Sequence, residues 1–199
     1  KEAIRTTFSY GPWGGHHHYD SLAMGLDVFG QELLSDIGYT HTHYREWATA
    51  VGSHNTVVID GQQQTRAGGR LLTYHPASEQ KVGLVAAEVP EAFENSTKYR
   101  RTMLLVPTGP ETGYVVDLFE VEGGDVHDYL LHGSADFDQT VSTDLDLISA
   151  EGEMVVSGDG TEGALYGYMK RTQKSEIDGN TAVQFEGDGT KLDIRLLDA

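Results

Sequence analysis

Ser21-Leu22-Ala23-Met24-Gly25-Leu26-Asp27-Val28-Phe29-Gly30 puts Leu22, Met24, Leu26 and Val28 on one face of an extended chain. Successive side chains in a strand point to opposite sides, so the segment reads as a half-buried strand. Gly30-Gln31 turns the chain into a second short strand over 32–35. Outward from this hairpin, runs rich in Val, Ile, Leu, Thr and Tyr predict strands at 56–60, 81–88, 98–106, 113–121, 126–132, 152–156, 165–170, 181–185 and 191–197. Gly61-Gln62, Gly109-Pro110, Gly123-Gly124, Ser157-Gly158-Asp159-Gly160 and Gly187-Asp188-Gly189 supply the turns between them. Only 33–37 is ambiguous between helix and strand. About ten short strands at this spacing predict an all-β chain folded as an antiparallel two-sheet β-sandwich. Residues 1–199 read as one domain, with a weak sub-boundary near residue 150 where the turns become more acidic and glycine-rich.

The 199 residues suffice to bury a core. There is no cysteine, which excludes disulfides and thiolate ligands but leaves metal sites built from histidine and carboxylate. No apolar run approaches the roughly 20 residues that span a bilayer, and no signal peptide is visible. Lys1 stands where an initiator methionine would, so the sequence reads as a processed or excised piece of a longer protein. The net charge of -17 is uneven: residues 1–109 hold 11 acidic and 9 basic residues, and residues 110–199 hold 20 and 5. The acidic half argues against nucleic acid or an anionic membrane as partner, and reads as a solubilising surface.

Six of the nine histidines lie between residues 16 and 54. Histidine titrates near neutral pH and is the commonest metal ligand. In Gly14-Gly15-His16-His17-His18-Tyr19-Asp20, an extended chain puts His16, His18 and Asp20 on one side and His17 and Tyr19 on the other. Asp36 ends the hairpin and His54 precedes the strand at 56–60, so His18, Asp36 and His54 can meet at one sheet edge. Two imidazoles and a carboxylate with an open position suit Zn²⁺, although the same residues also serve as satisfied polar groups at a sheet rim. A second group is His16 with Tyr39, Tyr44 and Arg45. Imidazole accepts a proton, tyrosine donates or accepts one, and arginine grips a carboxylate bidentately. The tyrosines read equally well as half-buried sheet fillers. His127 and His132, in or beside a strand, read as structural.

In order, Gly14-Gly15-His16-His17-His18-Tyr19-Asp20-Ser21-Leu22, Gly30-Gln31-Glu32-Leu33-Leu34-Ser35-Asp36-Ile37-Gly38-Tyr39 and Ser53-His54-Asn55-Thr56-Val57-Val58-Ile59-Asp60-Gly61 resemble the heparinase II/III-like family. These are polysaccharide lyases that include heparin, heparan and alginate or oligoalginate lyases. The matching block covers roughly residues 11–64, and Tyr99-Arg100-Arg101-Thr102 continues it with weaker signatures. The resemblance implies an N-terminal (α/α) toroid followed by a supersandwich-like β-sandwich, with the cleft between them. This chain would be the sandwich without its toroid. The resemblance further implies that His18, Asp36 and His54 hold a structural zinc, that His16 lines the catalytic centre, and that Tyr44 or Tyr39 is a cleft tyrosine. The implied reaction is β-elimination on an anionic uronate polysaccharide or oligosaccharide, by a periplasmic or secreted bacterial enzyme. The family takes its principal tyrosine and its carboxylate-binding Asn/His from the toroid, so little or no activity is expected of this chain alone. Arg45, Arg66 and Arg70 are the local cations for uronates or sulfates, although Arg66 and Arg70 also read as plain surface residues.

Two other classes compete. A non-catalytic carbohydrate-binding or structural β-sandwich would have no use for His16 beside the ligand trio. A cupin-like metal enzyme would share the paired histidines of H-x-H, but the glutamate it requires is missing and no second motif follows.

Overall fold

A computed structural model describes residues 4–38, 40–78, 81–153 and 163–197. Among them run β1 (Ile4–Phe8), β2 (Met24–Val28), β3 (Gln31–Leu34), β4 (Val57–Ile59), β5 (Arg70–His75), β6 (Gly83–Glu88) and β7 (Lys98–Gly109). There follow β8 (Thr112–Glu122), β9 (His127–Tyr129), β10 (Thr140–Thr143), β11 (Ile148–Ser149), β12 (Gln173–Lys174), β13 (Thr181–Gly187) and β14 (Thr190–Leu196). A short helix, α1 (Arg45–Thr49), and 3₁₀ turns at Val51–Ser53 and Tyr166–Tyr168 interrupt them. The strands pair as β1-β2-β3, β4-β9, β5-β6-β7-β8, β10-β13-β14 and β11-β12, antiparallel in every case.

The four-stranded sheet forms one layer. Along β7, Tyr99, Arg101 and Met103 are buried while Lys98, Arg100 and Thr102 alternate to the outer side. Register on that outer side sets Arg100 opposite both Glu88 and Glu120, and Lys98 opposite Glu122. Opposite charges therefore face each other across strands, a stabilising cross-strand pairing. On the inner side, one apolar cluster joins Leu22, Val51, Val57, Val58 and Ile59 to Ala87, Phe93 and Tyr99. A second joins Met24, Leu26, Leu33, Leu34 and Phe185 to Met103, with Val85 and Val115 against it. Strands β2, β3, β4 and β13 thus cover the four-stranded sheet, which is the all-β antiparallel sandwich expected from the sequence. Residues on both sides of position 150 share these clusters, Tyr166 in the first and Phe185 in the second.

Several local expectations are corrected. The expected strand at 165–170 is the 3₁₀ turn Tyr166–Tyr168, entered through Leu165 at φ 58°, a left-handed backbone that no strand accommodates. The ambiguous stretch at 33–37 is the end of β3 followed by an irregular segment, and among the described residues the helix lies instead at Arg45–Thr49. That helix is too short for a 3.6-residue period to register. Within the expected strand at 152–156, Gly152 and Glu153 belong to a turn, and 154–156 lie outside the described residues, as does the turn at Ser157-Gly158-Asp159-Gly160. Strands β1, β5, β10, β11 and β12 were not foreseen; β5 is mostly exposed and broken by an irregularity between Leu71 and Thr73, which blurs its alternation.

Arg101 locks the two layers together. Its side chain is fully buried. Nε and Nη2 donate to the two carboxylate oxygens of Asp117 at 2.9 and 2.7 Å. Nη1 donates to the carbonyls of Leu22 and Asn55, both at 2.6 Å, and Nη2 also to the Tyr129 hydroxyl at 3.1 Å. Arg101→Met would strand the Asp117 carboxylate and two carbonyls in the core. Removing one partner of a buried pair costs about 3–5 kcal/mol, so denaturant unfolding should show a loss of that order. A loss below about 1 kcal/mol would contradict this role.

Candidate functional site

His54 caps the 3₁₀ turn Val51–Ser53, which hands the chain into β4. Its ring is fully buried, and Nδ1 lies 2.7 Å from Asp36 Oδ1. Asp36 stands two residues beyond β3 and leaves half its side chain in solvent. An ionised carboxylate only accepts, so Nδ1 carries the proton and donates it to Asp36. The opposite nitrogen, Nε2, is buried with no hydrogen-bond partner among the described residues. His18 comes from the loop between β1 and β2, and its ring centroid lies 5.3 Å from that of His54. That loop is pinned by Tyr19 N–H donating to Thr49 O at 3.0 Å and Ser21 N–H donating to Gln64 Oε1 at 2.8 Å.

Asp20 is a fourth member of the pocket. Burial pushes its carboxyl above the usual carboxylate range, and the charges of His54, Asp36 and His18 all act on it. Burial lowers the proton affinity of His18, and neighbouring His54 lowers it further. His132 is lowered too, again mainly by burial, and its Nε2 donates to Gly52 O at 3.0 Å. Both imidazoles are therefore held toward their neutral form, the form that ligates metals.

Residues 16–20 form a turn and loop rather than a strand, and four of the five side chains still divide between two sides. His18 and Asp20 face His54, while His17 and Tyr19 pack on Trp13 with ring centroids at 5.7 and 4.9 Å. His16 is exposed at the turn that opens this loop. Tyr44 caps α1 and is exposed, and Arg45 is near enough to His18 to act on its charge. Tyr39 lies outside the described residues. Arg66 lies over the Trp13 ring at 5.1 Å, on the side of His17 and Tyr19. Arg70 is committed to the outer face of the sheet, where its Nε donates to Glu88 Oε1 at 2.7 Å.

The donor types, two imidazoles and two carboxylates, fit a zinc ion in kind, and the orphaned Nε2 is a lone pair awaiting a partner. Among the described residues, no three such side chains are drawn together closely enough to enclose a metal. Asp36 sits where an orienting carboxylate sits in many histidine sites, on the far nitrogen of the ring.

Sequence reasoning passed over Asn55. It is buried, and its Nδ2 donates to Met24 O at 3.0 Å and to Ser35 O at 2.9 Å, while its Oδ1 accepts from His132 N. One amide therefore fixes the residue before Asp36, the residue after His54 and the backbone of His132. Its position between His54 and a buried strand was the only available signal.

A family model described as Heparinase II/III-like, C-terminal, matches residues 1–196. A solved structure described as a heparinase III gene product aligns with a TM-score of 0.52 at 13% identity, covering 98% of this chain and 39% of that one. Heparan sulfate lyase from Pedobacter heparinus aligns with a TM-score of 0.52 at 11% identity, covering 99% of this chain and 40% of that one. This chain thus spans about two fifths of the length of those structures. No match was found among curated protein sequences.

Asn55→Ala leaves buried carbonyls unpaired, each costing about 1–3 kcal/mol. It should also erase the slowly exchanging His54 Nδ1 proton in an imidazole NMR spectrum; persistence of that signal would remove Asn55 from the site's support. The lowered His18 and His132 make the unfolded chain the better proton acceptor just below their ordinary value of 6.5. Stability is therefore complete above that value and falls as pH drops through it toward the folded-state values. The denaturation midpoint should fall from about pH 7 to about pH 5, and less steeply in His132→Gln; parallel curves would exclude His132.

Proposed function

The chain belongs to the heparinase II/III-like family, matching its C-terminal domain, and on that premise we propose that it forms one wall of a lyase cleft for uronate-containing glycans. The observation that supports this reading is the buried His54, held by Asp36 on one nitrogen and orphaned on the other, with His18 and Asp20 beside it. A purely structural sheet rim has no reason to leave a buried imidazole nitrogen unpaired, since such a group costs about 1–3 kcal/mol.

His18 and His54 would hold a zinc ion through their ring nitrogens, and Asp36, which the resemblance also implies as a ligand, would fix the His54 ring from its far nitrogen. Bound there, zinc would tie together the β1–β2 loop, the end of β3 and the start of β4, and supply a fixed positive charge at the cleft edge. The chemistry at the substrate belongs to other groups. β-Elimination removes the proton at C5 of a uronate, breaks the bond from C4 to the glycosidic oxygen and leaves a C4–C5 double bond. Exposed His16, as a neutral imidazole, can take a proton, and the Tyr44 phenol can return one to the departing oxygen. Tyr39 is the alternative tyrosine. Arg45 can grip the uronate carboxylate, and offsetting its charge makes the C5 proton easier to remove. Arg66, over Trp13, would meet acidic groups further along the polymer.

The remaining cleft wall would come from an N-terminal helical toroid, so the isolated chain is expected to bind without efficient turnover. A polymeric substrate is met outside the inner membrane, which supports a periplasmic or secreted bacterial enzyme. Among the described residues no helix is long and apolar enough to cross a membrane.

An unsaturated uronate absorbs in the ultraviolet. The full protein should raise that absorbance on a heparosan, heparan or alginate substrate, and His16→Ala and Tyr44→Phe should each slow it by about 10²–10⁴-fold. No rise on any uronate polymer would defeat the lyase reading and favour a carbohydrate-binding module. Elemental analysis should find about one zinc per chain, lost in His54→Ala. Equal metal in both proteins would defeat the zinc assignment alone.

A further inference from the structure

A row of aromatic rings leads from the histidine pocket to solvent. His132, whose Nε2 donates to Gly52 O, meets Trp47 edge-on at 6.2 Å and 82°. Trp47 stacks on Tyr168 at 5.6 Å with planes 22° apart. Tyr168 in turn meets Tyr44 at 6.5 Å and 71°. Tyr168 is 36% exposed and Tyr44 54%. Two exposed rings set nearly at right angles, one of them backed by an indole, form an open corner beside the pocket.

The corner is assembled by a segment far away in sequence. Ala164 N–H donates to Gly61 O at 2.9 Å, and the buried Tyr166 donates its hydroxyl to Asp128 at 2.8 Å. Gly52 has to be glycine here, because a Cβ would collide with the Ala164 carbonyl. Leu165 adopts φ 58° to turn the chain so that Tyr166 points inward and Tyr168 outward. A leucine in the left-handed region is strained. The backbone thus carries strain to present an aromatic ring at the surface beside a polar pocket.

Aromatic rings present a negative face, and the C–H groups on one side of a pyranose ring present a weakly positive apolar face. Ligand sites typically combine such apolar walls with a few placed polar groups. Arg45 follows Tyr44 directly and acts electrostatically on His18, which puts a cation at the same mouth. We propose that Tyr168, backed by Trp47 and facing Tyr44, is a sugar-stacking subsite for one pyranose unit of an acidic glycan, next to the His18–Asp36–His54 pocket. The choice of an acidic glycan rests on the lyase reading; the stacking itself does not.

The test is a binding titration of the full protein with a glucuronate-containing heparosan tetrasaccharide and an alginate tetrasaccharide, followed by tryptophan emission. The chain has two tryptophans, so a Trp13→Phe background leaves Trp47 as this chain's reporter. At least one acidic tetrasaccharide should shift the emission saturably. Tyr168→Leu keeps apolar bulk on Trp47 but removes the ring face, and should weaken binding by up to about tenfold. Tyr168→Phe should restore it. In the ultraviolet assay the same leucine variant should raise KM while kcat holds. Binding by Tyr168→Leu equal to that of the parent, or no restoration by phenylalanine, would overturn the subsite. Equal affinity for a neutral glucose tetrasaccharide would overturn the acidic class. Binding without any absorbance rise would defeat the lyase reading and leave the subsite standing.

Discussion

The Arg101 guanidinium has five N–H donors and no acceptor, and all five are used inside the core. Asp117 takes two, the Leu22 and Asn55 carbonyls take two, and the Tyr129 hydroxyl takes the last. The Tyr129 hydroxyl also bonds Asp117, so a third group closes the charge pair. A buried pair often breaks even against apolar packing, because desolvation offsets the attraction. What it supplies here is geometry. The planar fork can reach both carbonyls only if β7 lies at one distance and one rotation from the Leu22 and Asn55 segments. Apolar contacts alone would tolerate sliding between those layers.

That constraint passes directly into the candidate site. The Asn55 carbonyl held by Arg101 belongs to the residue after His54, and the Asn55 side chain holds Ser35, the residue before Asp36. Thr56 continues the line: its hydroxyl pairs with Tyr99 OH at 2.8 Å and donates to Ser21 O at 3.0 Å, next to Asp20. Tyr99 itself is fully buried, which pushes its phenol up to about 12 and keeps it a neutral hydrogen-bonding group. Three consecutive residues, His54 to Thr56, therefore point one polar group into the pocket and two into the lattice behind it. These bonds hold the backbone behind the pocket, in addition to the His54–Asp36 bond within it.

How much of this was legible in sequence follows from the range of each interaction. The β2–β3 hairpin and the long β7–β8 pair announce themselves through period-two alternation and glycine turns, which are local signals. His18, Asp36 and His54 could be grouped because each sits at the end of such an element. Arg101 could not be found that way: in Tyr99-Arg100-Arg101-Thr102 it reads as one of two surface cations, and only the register of β7 sends it inward while Arg100 goes to Glu88. Tyr168 was hidden for a different reason. Its segment resembles a strand, but Ala164 docks onto Gly61, about a hundred positions earlier, and Tyr166 onto Asp128, 38 positions earlier, and the chain there is a 3₁₀ turn. His132 reads as structural from its strand-like surroundings, but neither it nor Asn55 gives any hint in sequence of what lies across from it.

The distribution of cations sharpens what the charge imbalance means. Lys98, Arg70 and Arg100 are spent on Glu88, Glu120 and Glu122 across the outer sheet face, and Arg101 on Asp117. Their number in the N-terminal half therefore overstates the positive charge available to a ligand. Arg45 and Arg66 flank the histidine loop on its two sides, one acting on His18 and the other over Trp13. On the proposed glycan reading, an acidic polymer crossing the histidine loop would pass Arg45 on one side and Arg66 on the other. If the proposed cleft takes an acidic glycan, the negative charge of residues 110–199 would disfavour approach over that part of the chain and leave the histidine loop as the favoured face.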